Sequence, residues 1–200
     1  MAQRLNVART TVSNWGNEDV ICHRKFSASA FYRALWYIEP TNQPHPKDRR
    51  KNMKIKIVYH SMTGNTKKVA EALAKVANVP AEAITENYKL SEAVDLLFIG
   101  DGIYAGQMNK KIKTFIQTLD ASLVKNVAIF GTYGGQDKVI IDMAAMLKEQ
   151  GVNVCDETFV CKGQAWFIAN RKHPNQTDID NATKFGTNII RGCNEENAKS

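Results

Sequence analysis

The sequence predicts an α/β protein with a doubly wound parallel sheet and helices on both faces, and three observations carry that reading. From about residue 53, short runs rich in Ile, Val, Leu and aromatics alternate with stretches of helical spacing, the alternation expected of a parallel sheet. The runs are apolar throughout, as in Leu96-Leu97-Phe98-Ile99, which suits strands covered on both faces rather than on one. Each run also ends in a polar or glycine-rich loop that leads into a helical pattern.

The elements follow in order. Lys54–Tyr59 reads as the first strand. Val69, Leu73 and Val76 then mark one face of a helix whose Lys67, Lys68 and Lys75 lie elsewhere. Ala81–Thr85 is a short second strand and Val94–Ile99 a buried third. Ile112, Phe115, Ile116 and Leu119 fall at i, i+3, i+4 and i+7, so a second helix follows. Val127–Phe130 is the fourth strand. The third helix shows Ile140, Met143, Ala144 and Leu147 at the same spacing, and Gly151 marks its end. Val152–Val160 supplies a fifth strand. Ala182, Phe185, Gly186 and Ile189 face inward on a last helix, with Thr177 and Asp180 as its expected capping box. In such sheets ligands bind beyond the carboxyl ends of the strands, where the strand order reverses. The loops after the first, third and fourth strands are therefore expected to carry the chemistry.

Composition narrows the class. The chain has 200 residues and the make-up of a globular protein, with no apolar run long enough to cross a bilayer. Met1 to Val20 lacks the apolar centre of a secretory signal. Cys22, Cys155, Cys161 and Cys193 show neither metal-ligand nor C-x-x-C spacing, so no metal site is expected, and reduced thiols in a cytoplasmic protein are the simplest reading. The net charge of +7 is uneven, since the first 52 residues hold nine Lys/Arg against four Asp/Glu. Gln43 to Asn52, with two prolines and a run of charge, reads as a linker. The expected organisation is a poorly ordered extension over 1–52, one domain over 53–193 and a disordered tail over 194–200.

The first loop, Tyr59-His60-Ser61-Met62-Thr63-Gly64-Asn65-Thr66, joins a buried strand to a helix N-terminus, where free backbone N–H groups attract an anion. Ser61, Thr63, Asn65 and Thr66 add side-chain donors, and Gly64 allows close approach. A nucleoside-triphosphate loop requires a lysine and a metal-binding hydroxyl that this loop does not offer. Hydroxyls and amides without lysine suit a terminal phosphate monoester held without magnesium. The second loop is Gly100-Asp101-Gly102-Ile103-Tyr104-Ala105-Gly106, and the third is Gly131-Thr132-Tyr133-Gly134-Gly135.

Together these loops resemble those of the flavodoxin family, whose phosphate loop has the form [ST]-x-T-G-x-T directly after the first strand. The resemblance covers roughly Lys54 to Arg191 and implies a five-stranded sheet in the order 2-1-3-4-5, the order known for flavodoxin itself. It further implies non-covalently bound FMN, with Ser61, Met62, Thr63, Gly64, Asn65 and Thr66 around the phosphate. The second loop is similar to the family's G-x-x-x-Y-x-G element along one edge of the flavin ring. It brings Asp101, Gly102, Ile103 and Tyr104, with Gly102 as the peptide that turns toward the flavin N5. Gly131, Thr132, Tyr133, Gly134 and Gly135 would lie beside the pyrimidine end, with Tyr133 stacked on the ring. The implied function is electron transfer between a reductase and an acceptor, with no side chain acting as a catalyst.

Two departures from the pattern motivate a rival reading. Carrier flavodoxins are usually strongly acidic, whereas residues 53–200 carry 18 Lys/Arg against 16 Asp/Glu. The second loop also lacks the tryptophan that many carriers place near the ring, so Ile103 or Tyr104 would leave one ring face open. An FMN-dependent reductase or oxidase acting on a quinone or other conjugated substrate is the enzymatic alternative. Ala2 to Trp15 resembles part of a repressor-type helix-turn-helix, with Arg9, Thr10 and Asn14 toward a DNA groove. Because the chain begins inside that motif, nucleic-acid binding is not expected, and a redox-linked DNA-binding regulator ranks third. Arg49-Arg50 lies just before Met53, which suggests a start assigned too far upstream. His60 is expected to face solvent. Cys155 and Cys161 are expected to be packing residues, and Arg171, Lys172 and His173 a solvated basic patch.

Overall fold

The computed structural model describes residues 53–134, 138–164 and 172–199. The expected N-terminal extension with its helix-turn-helix fragment, Arg171 and Gly135 lie outside the described residues. The elements are β1 (Ile55–Tyr59), α1 (Asn65–Ala77), β2 (Ala81–Ala83), β3 (Val94–Ile103), α2 (Lys110–Gln117), β4 (Val124–Tyr133), α3 (Lys138–Glu149), β5 (Asn153–Val154), β6 (Phe159–Lys162) and α4 (Gln176–Lys199). One turn of 3-10 helix, Ala121–Leu123, precedes β4.

Every strand pairing is parallel, and the order is β2-β1-β3-β4-β5, with β6 also pairing β4. The sequence places one strand over Val152–Val160, and the sheet splits it. Val154 pairs with Val127 and Phe159 with Phe130, so the outer strand carries two more residues than β4 over this stretch. The exposed polar run Asp156-Glu157-Thr158 loops out of the ladder there.

The alternation of side chains along β1, β3 and β4 builds two cores. Ile57, Leu96, Phe98 and Phe130 pack against Val69 and Leu73 of α1 and Phe185 and Ile189 of α4. Val58, Leu97, Ile99 and Ile129 pack on the opposite face against Ile112 and Ile116 of α2 and Met143 and Leu147 of α3. A strand covered on both faces has no solvent side, so its sequence shows no polar alternation.

Three boundaries differ from expectation. β3 and β4 run on to Ile103 and Tyr133, so most of the second and third loops is paired strand: Asp101 opposes Gly131, Gly102 opposes Thr132 and Ile103 opposes Tyr133. Pairing between two long central strands outweighs the low strand propensity of Gly and Asp. The capping box of α4 is Asn175 with Asp178: the Asp178 N–H donates to Asn175 Oδ1 at 3.0 Å and the Asn175 N–H to Asp178 Oδ2 at 2.8 Å. His173 Nδ1 lies 2.6 Å from the same carboxylate, so His173 is tied down rather than part of a free basic patch. Finally, α4 continues through Lys199 instead of fraying into a tail at 194. Buried Cys193 anchors this stretch, and Glu195, Glu196 and Ala198 are good helix formers with no Gly or Pro among them. No helix among the described residues is long and apolar enough to cross a membrane.

Candidate functional site

The chain leaves β1 toward β2 and leaves β3 toward β4, so the crossovers diverge and open a crevice at the carboxyl ends of these strands. Four segments meet there: the loop after β1, the ends of β3 and β4, and Gly163-Gln164 after β6.

Gly64 stands at the N-cap of α1 with φ 81°, a left-handed conformation in which a side chain would be strained. No side chain caps this helix, so the first-turn N–H groups are left to other acceptors. Ser61 Oγ is buried with no hydrogen-bond partner among the described residues. Asn65 Nδ2 donates to Thr63 Oγ1 at 2.9 Å and to the Gln164 carbonyl at 3.0 Å. The Thr66 and Thr132 hydroxyls meet at 2.9 Å, which ties the start of α1 to β4. Met62, by contrast, points out of the site and is 69% exposed.

Tyr104 reaches across to the first loop. Its hydroxyl accepts from the Thr63 N–H at 3.2 Å and lies 3.0 Å from Thr63 Oγ1. A tight turn directs it there: the Gln107 N–H donates to the Tyr104 carbonyl at 3.0 Å, and Ala105 and Gly106 take φ of 51° and 69°. Ile103 is a core residue packed toward α2 and α3, with Tyr133 half-buried against the same cluster. Gly131 is buried between β3 and Ile140, and Gly134 is exposed. Gly102 lies beside Thr66 and the Tyr104 ring: a Cβ there would stand 3.0 Å from each.

Two features escaped the sequence reading. Gly163 and Gln164 line the cleft, and a Cβ at Gly163 would stand 3.0 Å from Asn65 Nδ2, so a larger residue there would have to push the Asn65 side chain aside. The available signal was position alone, as the loop following a strand that pairs with β4. The second feature is His60, whose side chain is turned inward and only 13% exposed, not facing solvent. Its Nδ1 lies 3.4 Å from Oδ1 of Asp101, which is 0% exposed, and neither atom has a hydrogen-bond partner among the described residues. Asp101 Oδ2 accepts from the Asn109 N–H at 2.7 Å, at the start of α2. Burial pushes the Asp101 carboxyl up to about 7, against the lowering effect of the Asn109 and Gly102 N–H groups. Burial, with the charge of Lys111, holds the His60 imidazole below its ordinary range.

The cleft where the strand ends converge encloses only about 20 Å³, with Tyr104, Asn65, Thr132 and Gly163 among its walls. A wider groove of about 440 Å³ runs between α1 and α4 past Lys68, Lys75 and Thr183, but no strand end lines it, and none of the buried unpartnered side-chain atoms among the described residues belongs to it. The strand-end cleft is therefore the candidate site. No group of three or more potential metal ligands occurs among the described residues.

The model of the flavodoxin domain matches residues 56–165 of this chain. The chain belongs to the flavodoxin family. An uncharacterised protein of Methanocaldococcus jannaschii is 30% identical over 151 residues, which span 70% of this chain and 99% of that protein. Among solved structures, a flavodoxin from the domain Archaea superposes with a TM-score of 0.59 at 23% identity, over 70% of this chain and 99% of its own. Flavodoxin 2 from Bacillus cereus gives 0.54 at 18%, over 70% and 99%. These superpositions establish the flavodoxin fold, and the family match makes this a flavodoxin-like protein of flavin electron transfer.

Proposed function

We propose that the protein is cytoplasmic, binds FMN non-covalently at the strand-end cleft and carries electrons between a reductase and an acceptor protein. The observation that carries the reading is the buried, unpartnered Ser61 hydroxyl beside the uncapped start of α1. A buried polar atom without a partner is costly, and a phosphate oxygen at this place would satisfy it. The donor set fits a phosphate monoester, since the loop brings hydroxyls and amides but no lysine.

In this reading Ser61, Thr63, Asn65 and Thr66, with the loop N–H groups at Gly64, hold the phosphate. The Tyr104 hydroxyl would yield the Thr63 N–H to the phosphate. Gly102 and Ile103 would border one edge of the isoalloxazine with buried Asp101 behind them, while Thr132, Tyr133, Gly134 and Gly135 would border its pyrimidine end with Gly131 buried behind. Bound there, the flavin supplies the redox chemistry, and the chain tunes it by burial, hydrogen bonds and stacking.

The test compares FMN with riboflavin, which lacks the phosphate. FMN should bind the purified protein, and Ser61→Ala with Thr63→Ala should weaken it at least about tenfold, near 1.4 kcal/mol, while leaving riboflavin affinity unchanged. Equal losses for both ligands would move the phosphate elsewhere. A protein that takes up neither would end the cofactor reading.

A further inference from the structure

We propose that His60 and Asp101 form a buried proton-holding pair that binds one proton from water when the bound cofactor gains an electron, so that the protein's potential depends on pH. This rests on the FMN reading above.

Position comes first. His60 directly precedes Ser61 of the phosphate loop, and Asp101 directly precedes Gly102 at the ring edge. The pair is thus one Cα step, about 3.8 Å, behind both segments assigned to the cofactor. The His60 N–H donates to the Gly100 carbonyl at 2.9 Å, which locks the end of β1 to β3 directly beneath them.

Chemistry comes second. A histidine and a carboxylate 3.4 Å apart, the carboxylate fully and the imidazole largely removed from water, have one inexpensive charge state, the net-neutral one in which a single proton resides on either partner. Losing that proton leaves a buried anion, and burial already moves the Asp101 carboxyl to about 7. The charged group that reaches the pair from outside is Lys111 of α2, which opposes protonation of His60. Lys110 and Lys113 of the same helix are exposed. At this end of β3 the Thr66 hydroxyl of α1 and the Thr132 hydroxyl of β4 bond to each other, and neither side chain ionises. Tyr104 bonds to Thr63 and not to the pair.

The step balances simply. One electron passes from a reductase to the cofactor and adds one negative charge beside the pair. That charge raises the pair's proton affinity, and one proton from water forms an N–H or O–H bond on His60 or Asp101. When the acceptor takes the electron, the proton returns to water. No other bond forms or breaks.

The experiment measures the potential of the FMN-loaded full-length protein by spectroelectrochemistry, for wild type, Asp101→Asn and His60→Gln, between about pH 5 and pH 9. FMN occupancy is read from absorbance. The His60 ring is followed by NMR across the same range, in the cofactor-free protein. The expected wild-type potential falls by one proton per electron above neutral pH, and the slope disappears in Asp101→Asn. The His60 ring should titrate at a displaced pH in wild type and return toward its ordinary range in the variant. Equal slopes in wild type and both variants would overturn the proposal, because the proton would then belong to the flavin. An ordinary, Asp101-independent His60 titration would overturn it even without cofactor. Failure to bind FMN, with the displaced His60 titration intact, would instead strike the cofactor reading.

Discussion

Asp101 shows at the scale of one residue how burial and function pull apart. Its carboxyl has no exposed surface, and its raised pKa means that the folded state holds a proton more tightly than the unfolded chain does. The linkage sign follows: whatever Asp101 contributes is intact below its unfolded pKa of about 4 and is lost as pH rises toward 7. Asp101→Asn should therefore gain stability over wild type progressively from about pH 4 to pH 7, by an amount on the order of a few kcal/mol, then hold constant. Urea titrations of both proteins across that range check it. Tyr104 offers a second case. Its hydroxyl occupies the Thr63 N–H, so Tyr104→Phe removes a competitor worth about 1 kcal/mol. FMN affinity should rise several-fold, as measured by fluorescence quenching.

Residue identities in the first loop were legible before any coordinates, because Ser, Thr, Gly and Asn between a strand and a helix can serve few purposes. The inward turn of His60 was not. One histidine beside a loop reads as solvent-facing, and only the register of β1 against β3 sets it opposite Asp101, 41 residues away.

At the scale of elements, α1 and α4 cover one face of the sheet through Leu73, Phe185 and Ile189. Leu73 is almost fully buried, so Leu73→Ala should cost about 2–5 kcal/mol from the lost burial and the cavity it leaves. Chemical denaturation measures this directly. Asn175→Ala should remove the Oδ1 that accepts the Asp178 N–H at the start of α4 and cost about 1 kcal/mol. The helices were readable because a repeat near 3.6 residues survives in each. Strand ends were not, since Gly100 to Ile103 and Gly131 to Tyr133 carry loop-like residues that become strand only when paired with each other. The last strand was read as continuous for a related reason. Nothing local in Val152–Val160 signals that the ladder will break after Val154, or that Cys155 will lie in the same packed region as Cys193 of α4. Cys161 is buried, as a packing residue should be.

For the whole molecule, four segments far apart in the chain make one site, so a ligand there must stabilise all of them together. FMN at about 100 times its dissociation constant should raise the unfolding free energy by about 2.7 kcal/mol, with riboflavin following the same relation at its own constant. Denaturant midpoints at rising ligand concentration test whether the domain unfolds as one unit. A first transition insensitive to ligand would show that part of the domain unfolds apart from the site.

The α/β class, the helix faces and the family were legible in the sequence, because each is written in local spacing and in residue chemistry read within a few positions. The tertiary structure decided the rest: the extension of β3 and β4, the entry of Gly163 and Gln164 into the cleft, the reach of Tyr104 to Thr63, and the burial of His60 against Asp101. Those depend on which strands become neighbours and in what register. Register is a property of pairs of distant segments, so no window of sequence contains it.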